Sequence, residues 1–295
     1  YTGLTVIEAV LLLFGGIGVF DAVTTAMSTA GTGGFSVRNA GIAAYESAYV
    51  EWVVGFFMIV FGVNFNLYYL MLLRRFKIVF KSEELRVFLA IVAVSTVIMG
   101  INATEYYGDF GVAIRKAFFQ TGAIISTTGF GGVEFMNWPM LCHSVILVLL
   151  FTGACAGSTA GGIKISRIIM MFKMLRKESH RLAHLHEVTT IKFEGKIVDK
   201  ETRSFIMVYI SAFFAILAVA SIVIMMMGHD YETSFSAVLS CFNNVGPALG
   251  EVGHGGVYNM FGGIEKLFLS LLMLTGRLEI FPMLILFMPS TWRRH

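Results

Sequence analysis

Three times in this chain a polar, glycine-centred turn interrupts strongly apolar sequence. The turns read Ala30-Gly31-Thr32-Gly33-Gly34-Phe35, Ser126-Thr127-Thr128-Gly129-Phe130-Gly131 and Asn243-Asn244-Val245-Gly246-Pro247. Each follows a short amphipathic stretch and precedes another apolar one. Backbone that leaves helical geometry at membrane depth is tolerated only where protein buries it or where it lines a water-filled cavity. A single turn of this kind reads most simply as a helix cap or a packing contact. Three in the same relative place point instead to a pore lined by backbone carbonyls, with Gly33, Gly129 and Gly246 as its glycines.

The surrounding sequence is that of a membrane protein. Hydrophobic residues make up 56% of the 295 and charged residues only 14%, with a mean hydropathy of +0.76; a soluble domain carries about 25% charged residues. Apolar runs near 4–20, 51–73, 86–102, 138–175 (interrupted), 204–227 and 257–289 approach or exceed the roughly 20 residues that cross a bilayer. The expected fold class is an all-α polytopic membrane protein. Nothing suggests nucleic-acid binding, a cofactor or an enzyme. Within the spans only His143, Asn64, Asn66 and Arg277 are chemically notable, and they form no catalytic set. Cys142, Cys155 and Cys241 sit in apolar context without metal-ligand spacing. His180, His184 and His186 lack the acid or cysteine that would complete a familiar metal set.

Charge placement orients the chain. Arg74, Arg75, Lys77, Lys81 and Arg86 cluster in one linker, ten basic residues against five acids lie from Lys164 to Arg203, and Arg293 and Arg294 stand near the end. Cytoplasmic loops carry an excess of Lys and Arg, so both linkers and the C-terminus are expected inside and the glycine turns open outward. The stretches 21–29, 110–126 and 233–242 are too short or too polar to span, and fit re-entrant pore helices. The expected organisation is three parallel, pseudo-symmetric repeats of helix, pore helix, filter turn and helix around a central pore. They cover 1–80, 81–175 and 200–295, with 176–199 as a cytoplasmic linker. Trp52, Trp138 and Trp292 fit interfacial anchors.

The chemistry of such a turn favours a cation. A helix ending at mid-membrane aims the negative end of its dipole at the turn, whose carbonyls can replace an ion's hydration shell. Glycine lets backbone approach without an intruding side chain. The expected ion ligands are Thr32-Gly33, Thr128-Gly129 and Val245-Gly246, flanked by Gly31, Thr127 and Asn244, with threonine hydroxyls as further acceptors. Two other features stand out inside apolar sequence. In the run 153–164 the spacing of Gly153, Gly157 and Gly161 also fits close helix packing. Arg277 is an intramembrane charge, which is costly and faces the protein interior; it could pair with Glu279 or stand in the ion's path.

The segments Ser28–Phe35, Ser126–Phe130 and above all Gly153-Ala-Cys-Ala-Gly157-Ser158-Thr159-Ala-Gly161-Gly162-Ile-Lys164 resemble the Trk/Ktr/HKT superfamily, closest to the membrane subunit of bacterial Trk-type potassium uptake systems. The resemblance covers essentially the whole chain. It implies potassium uptake across the inner membrane of the cell, four pore repeats with one filter glycine each, and a homodimer. It also implies regulation by a cytoplasmic nucleotide-binding subunit, with the basic linkers as candidate contacts. Gly153, Gly157, Ser158, Thr159, Gly161 and Gly162 would form a loop that breaks its helix and gates the pore with Arg277. The chain opens at Tyr1, beside an apolar run, and shows three repeats, so the first family repeat is expected upstream. A coupled secondary transporter with alternating access is the rival reading; it predicts inverted repeats, against which the two cytoplasmic linkers argue.

Overall fold

The computed structural model describes residues 1–183, 190–253 and 258–286. His184, His186, Trp292, Arg293 and Arg294 lie outside the described residues. The helices are α1 (Thr2–Phe14), α2 (Val19–Ala30), α3 (Ala48–Phe61), α4 (Phe65–Leu72), α5 (Phe76–Lys81), α6 (Glu83–Tyr107), α7 (Phe110–Ile125), α8 (Met140–Phe151), α9 (Ile165–Ala183), α10 (Lys200–Met226), α11 (Tyr231–Asn243), α12 (Gly263–Arg277) and α13 (Ile280–Leu286). A two-stranded antiparallel hairpin, β1 (Lys192–Phe193) and β2 (Lys196–Ile197), joins α9 to α10.

The same order of elements recurs three times. An apolar helix (α1, α6, α10) leads to a short helix (α2, α7, α11), a glycine turn, and a further helix (α3, α8, α12). Within each set the short helix packs on both its neighbours, and across sets α3 packs on α7 and α8 on α11. The short helices have 12, 16 and 13 residues. At 1.5 Å per residue they reach roughly 18–24 Å, less than the ~30 Å of a bilayer core. Two of them start at a capping aspartate, a strong helix-start signal. Asp109 accepts from Val112 N at 2.9 Å and Asp230 from Thr233 N at 3.1 Å.

The apolar runs are more broken than their hydropathy suggests. By length and composition two described helices can cross a membrane, α6 and α10. The run 51–73 is a bent pair, α3 and α4 meeting at 93°. The break has a local cause and a tertiary one. Asn64 caps α4 by accepting from Asn66 N at 2.9 Å. The backbone groups freed at the bend are taken by residues of the 153–164 run: Cys155 N donates to Gly62 O at 3.0 Å and Phe65 N to Gly157 O at 3.2 Å. The run 4–20 ends its helix at Phe14. The run 257–289 breaks after α12, where Glu279 has φ +62°. The boundary drawn at 175/176 falls inside α9.

One local reading changes with the packing. Trp138 is no interfacial anchor: it is 3% exposed, and its indole N–H donates to the Tyr107 hydroxyl at 3.3 Å. Lys116 and Arg115, on α7, both bind Glu51 of α3, at 2.5 and 2.9 Å, with the Glu51 side chain 7% exposed. The three cysteines are free and buried.

Candidate functional site

The three short helices end in turns with one backbone pattern. A non-glycine residue takes positive φ and, two residues on, a glycine does the same: Thr32 (+50°) and Gly34 (+69°), Thr127 (+56°) and Gly129 (+69°), Asn244 (+56°) and Gly246 (+99°). The hydrogen bonds repeat as well. Thr32 N, Thr127 N and Asn244 N each donate to the carbonyl three residues back, at 3.0–3.1 Å. This fixes a register that differs by one residue from the sequence reading. Gly34, not Gly33, stands where Gly129 and Gly246 stand; Gly33 matches Thr128 and Val245. The Thr-Gly pair at 32–33 looks equivalent to the Thr-Gly pair at 128–129 in sequence, but the left-handed positions show that it is not.

The turns lie against one another. A Cβ on Gly34 would fall 1.9 Å from Thr128 O, and one on Gly129 would fall 1.7 Å from Val245 O. No side chain fits in either gap, so Gly129 is required by close approach as well as by its φ. Among the described residues the carbonyls of Gly33, Thr128 and Val245 accept no hydrogen bond. The Gly246 carbonyl is less available, because the Tyr258 hydroxyl donates to it at 2.8 Å.

The threonine hydroxyls have other work than that expected of them. Thr32 Oγ1 donates to Thr159 O at 3.0 Å and to Gly31 O at 2.8 Å. Thr127 Oγ1 accepts from Gly161 N at 2.7 Å, and Thr128 Oγ1 bonds Ser126 Oγ at 2.7 Å. Asn244 donates from its side chain to Met273 O at 2.9 Å, tying the third turn to α12. Satisfying buried polar groups in this way is the rule for interiors, and it leaves backbone carbonyls as the free acceptors.

The run 152–164 is a loop between α8 and α9, not a helix with a glycine face. Gly153 N donates to Ile163 O at 2.8 Å and Ile165 N to Ala154 O at 3.2 Å, which closes the loop at its base. Ser158 folds back on Cys155 O at 2.6 Å. The loop's tip reaches all three turns. Thr159 Oγ1 donates to Ala30 O at 3.2 Å and Gly161 N to Thr127 Oγ1, while a Cβ on Gly161 would fall 2.4 Å from Asn243 O. Gly157 and Gly162 take positive φ, +70° and +68°. Asn243, quoted in the third turn but given no role from sequence, is buried and donates to Leu150 O at 2.5 Å, holding the end of α8.

The charges near this loop are arranged differently from the sequence reading. Arg277, the last residue of α12, is exposed, and among the described residues it makes no ion pair and no hydrogen bond to the loop. It acts electrostatically on Lys164 and on the Tyr1 hydroxyl, which itself lies 3.4 Å from Thr159 Oγ1. Glu279 is engaged elsewhere, with Arg167 at 2.9 Å, and that guanidinium lies 4.0 Å over the Tyr209 ring. The cation that does bind the loop is Lys164, whose Nζ donates to Ala160 O. The sequence signal for Lys164 was present, as the last residue of the motif, but its role needed the fold of the loop.

An α-helical membrane protein in which short helices end at mutually touching glycine turns, with a glycine-rich loop set against them, is what these elements define. The chain matches the family model described as TrkH, cation transport protein, over residues 8–294, and it belongs to that family. It is 32% identical over 298 residues to the Trk system potassium uptake protein TrkH of Escherichia coli, covering 99% of this chain and 61% of that protein. To the TrkH of Halomonas elongata it is 33% identical over 303 residues, covering 100% and 61%. The crystal structure of the potassium transporter TrkH from Vibrio parahaemolyticus superposes with a TM-score of 0.90 at 31% identity, covering 99% of this chain and 63% of that one. The chain thus spans about three-fifths of the length of these relatives. The family is one of transporters, not enzymes.

Proposed function

We propose that this chain forms most of a potassium-conducting pore, built from parallel pseudo-symmetric repeats in which α2, α7 and α11 are re-entrant pore helices. Potassium enters from outside, sheds water among the carbonyls of the three turns, and passes the loop 153–162, which acts as the gate with Arg277 and Lys164 beside it. The observation that carries the reading is the set of matched turns in backbone contact, whose Gly33, Thr128 and Val245 carbonyls accept no hydrogen bond among the described residues. Carbonyls so placed are cation ligands in selectivity filters, and the negative ends of three helix dipoles add to the attraction. The similarity to potassium uptake proteins over the whole chain supports potassium as the ion. The protein acts in the inner membrane as a homodimer, under control of a cytoplasmic nucleotide-binding subunit, with the basic segments 74–86 and 164–203 facing the cytoplasm. The test is anomalous scattering from rubidium or thallium in crystals of the full-length protein. A peak against residues 32–34, 127–129 and 244–246 is expected. Ions bound only elsewhere would remove these turns from the filter.

A further inference from the structure

We infer that Glu84 is the latch of the loop 153–164, and that the cytoplasmic hairpin sets this latch through Glu194. The inference rests on the reading of that loop as the gate. Glu84 is a positioning residue here, acting on the ion only through the loop.

Glu84 stands in the first turn of α6 and is 5% exposed. Its Oε1 accepts two backbone bonds from opposite sides of the loop, from Ala156 N at 2.7 Å and from Ser166 N at 3.2 Å. Ala156 belongs to the descending arm and Ser166 to the start of α9, so one carboxylate oxygen joins both ends of the loop to α6. Bonds of this charge-assisted kind are roughly twice as strong as neutral ones. Neither N–H has a helical partner: Ala156 lies in the loop, and Ser166 in the first turn of α9, whose N–H groups have no acceptor within the helix.

The other end of the same turn is held from the hairpin. Glu194 Oε1 accepts from the Ser82 hydroxyl at 2.9 Å and from Glu84 N at 3.1 Å. It therefore caps α6 together with Ser82, whose Oγ accepts from Leu85 N at 3.3 Å. A carboxylate is favoured at a helix N-terminus because the dipole and the unpaired N–H groups both attract it. Glu194 can reach that place because the hairpin turns on two residues of positive φ, Glu194 (+48°) and Gly195 (+76°), the geometry of tight two-residue hairpins. Lys173 of α9 ties the assembly from the side, binding Glu83 and donating to Lys192 O at 2.7 Å. Glu194 is exposed. A continuous series of bonds thus leads from an exposed hairpin tip, through Ser82 and Glu84 N, to the loop that touches all three glycine turns. A partner that pulls on the hairpin would loosen Glu84 and, through it, the loop.

Cys155 is the reporter, because it lies in the loop and is fully buried. In full-length protein reconstituted in vesicles, with every other cysteine replaced by alanine, the rate of Cys155 modification by a membrane-permeant maleimide is measured beside potassium flux. Glu84→Ala is expected to raise the modification rate about tenfold or more, the effect of losing two bonds to a charged acceptor. Glu84→Gln keeps an oxygen acceptor for both N–H groups and is expected to stay within about threefold of the parent. Glu194→Ala, on an exposed turn and harmless to the core, is expected to raise the rate in the same direction by a smaller factor. Unchanged modification in a folded Glu84→Ala protein overturns the latch. If that variant does not fold, Glu194→Ala decides, and an unchanged rate there overturns the coupling to the hairpin. Faster modification with unchanged potassium flux upholds the latch and instead refutes the loop as the gate.

Discussion

At the scale of single residues, what separates Gly129 from an ordinary glycine is what its missing side chain would strike. Gly129 combines φ +69° with a backbone oxygen 1.7 Å from where a Cβ would stand. A left-handed backbone alone costs an L-residue about 1–2 kcal/mol, and the clash forces the Val245 carbonyl to move. Gly129→Ser is therefore expected to weaken discrimination between potassium and sodium, read as the ratio of uptake of the two ions in cells lacking other uptake systems. Unchanged selectivity with unchanged potassium affinity would take Gly129 out of the ion path. The first turn offers a sharper comparison. Gly33 has only ordinary contacts, at 3.4 Å and beyond, whereas a side chain on Gly34 would strike Thr128 O. Gly34→Ser should impair uptake far more than Gly33→Ser; the reverse order would restore the register read from the sequence.

At the scale of elements, α7 is held against α3 by a nearly buried charge and the loop by charge near its base. Glu51 is surrounded by Arg115 and Lys116 and nearly buried. Removing one partner of a buried pair leaves an uncompensated charge, typically at a cost of 3–5 kcal/mol. With two cations here and some exposure on both, Glu51→Ala is expected to destabilise the α3–α7 contact by about 2–3 kcal/mol, seen as a lower thermal midpoint in detergent. A midpoint within a degree of the parent would show that the pair contributes little. Arg277 makes no ion pair among the described residues. The repulsion between two unit charges 4 Å apart runs from about 1 kcal/mol in water to about 4 at an effective dielectric of 20, equivalent to roughly 5-fold to 1,000-fold in rate. Arg277→Ala should raise potassium flux in reconstituted vesicles within that range. Unaltered flux would leave Lys164, bonded to Ala160 O, as the charge that matters.

At the scale of the whole molecule, the three sets of elements share an orientation only if both linkers lie on one side. A cysteine placed at Lys77, in the exposed α5, should be modified by an impermeant reagent only in inside-out vesicles. One placed at Lys196, in the hairpin of the second linker, should be modified from that same side, and one at Val37, beyond the first turn, only from the outside. Modification of the Lys77 and Lys196 sites from opposite sides would break the parallel arrangement and favour the alternating-access reading, whose repeats are inverted. The strength of this test is that it does not depend on which ion the turns hold.

Hydropathy and the three glycine turns were enough to identify a helical membrane protein and turns that lie against one another. These signals are local: an apolar run, a turn that needs positive φ. The motif 153–164 was legible as an anomaly, since four glycines in a helix interior cost about 4 kcal/mol relative to alanine. Spacing alone left it divided between a packing face and a loop. What the loop touches was decided by tertiary structure, because the backbone groups freed at the 62–64 bend find their partners in Cys155 and Gly157, far away in sequence. The same holds for Gly34, whose equivalence to Gly129 depends on φ and on a neighbour 94 positions later. It holds for Glu84 and Glu194 too, which are 110 residues apart and read as ordinary surface acids until a helix start, a hairpin and a loop are brought together. Composition and spacing determine which backbone must be satisfied inside a membrane. Only the packed chain decides which groups satisfy it, because those partners are non-local and their geometry is set by every helix between them.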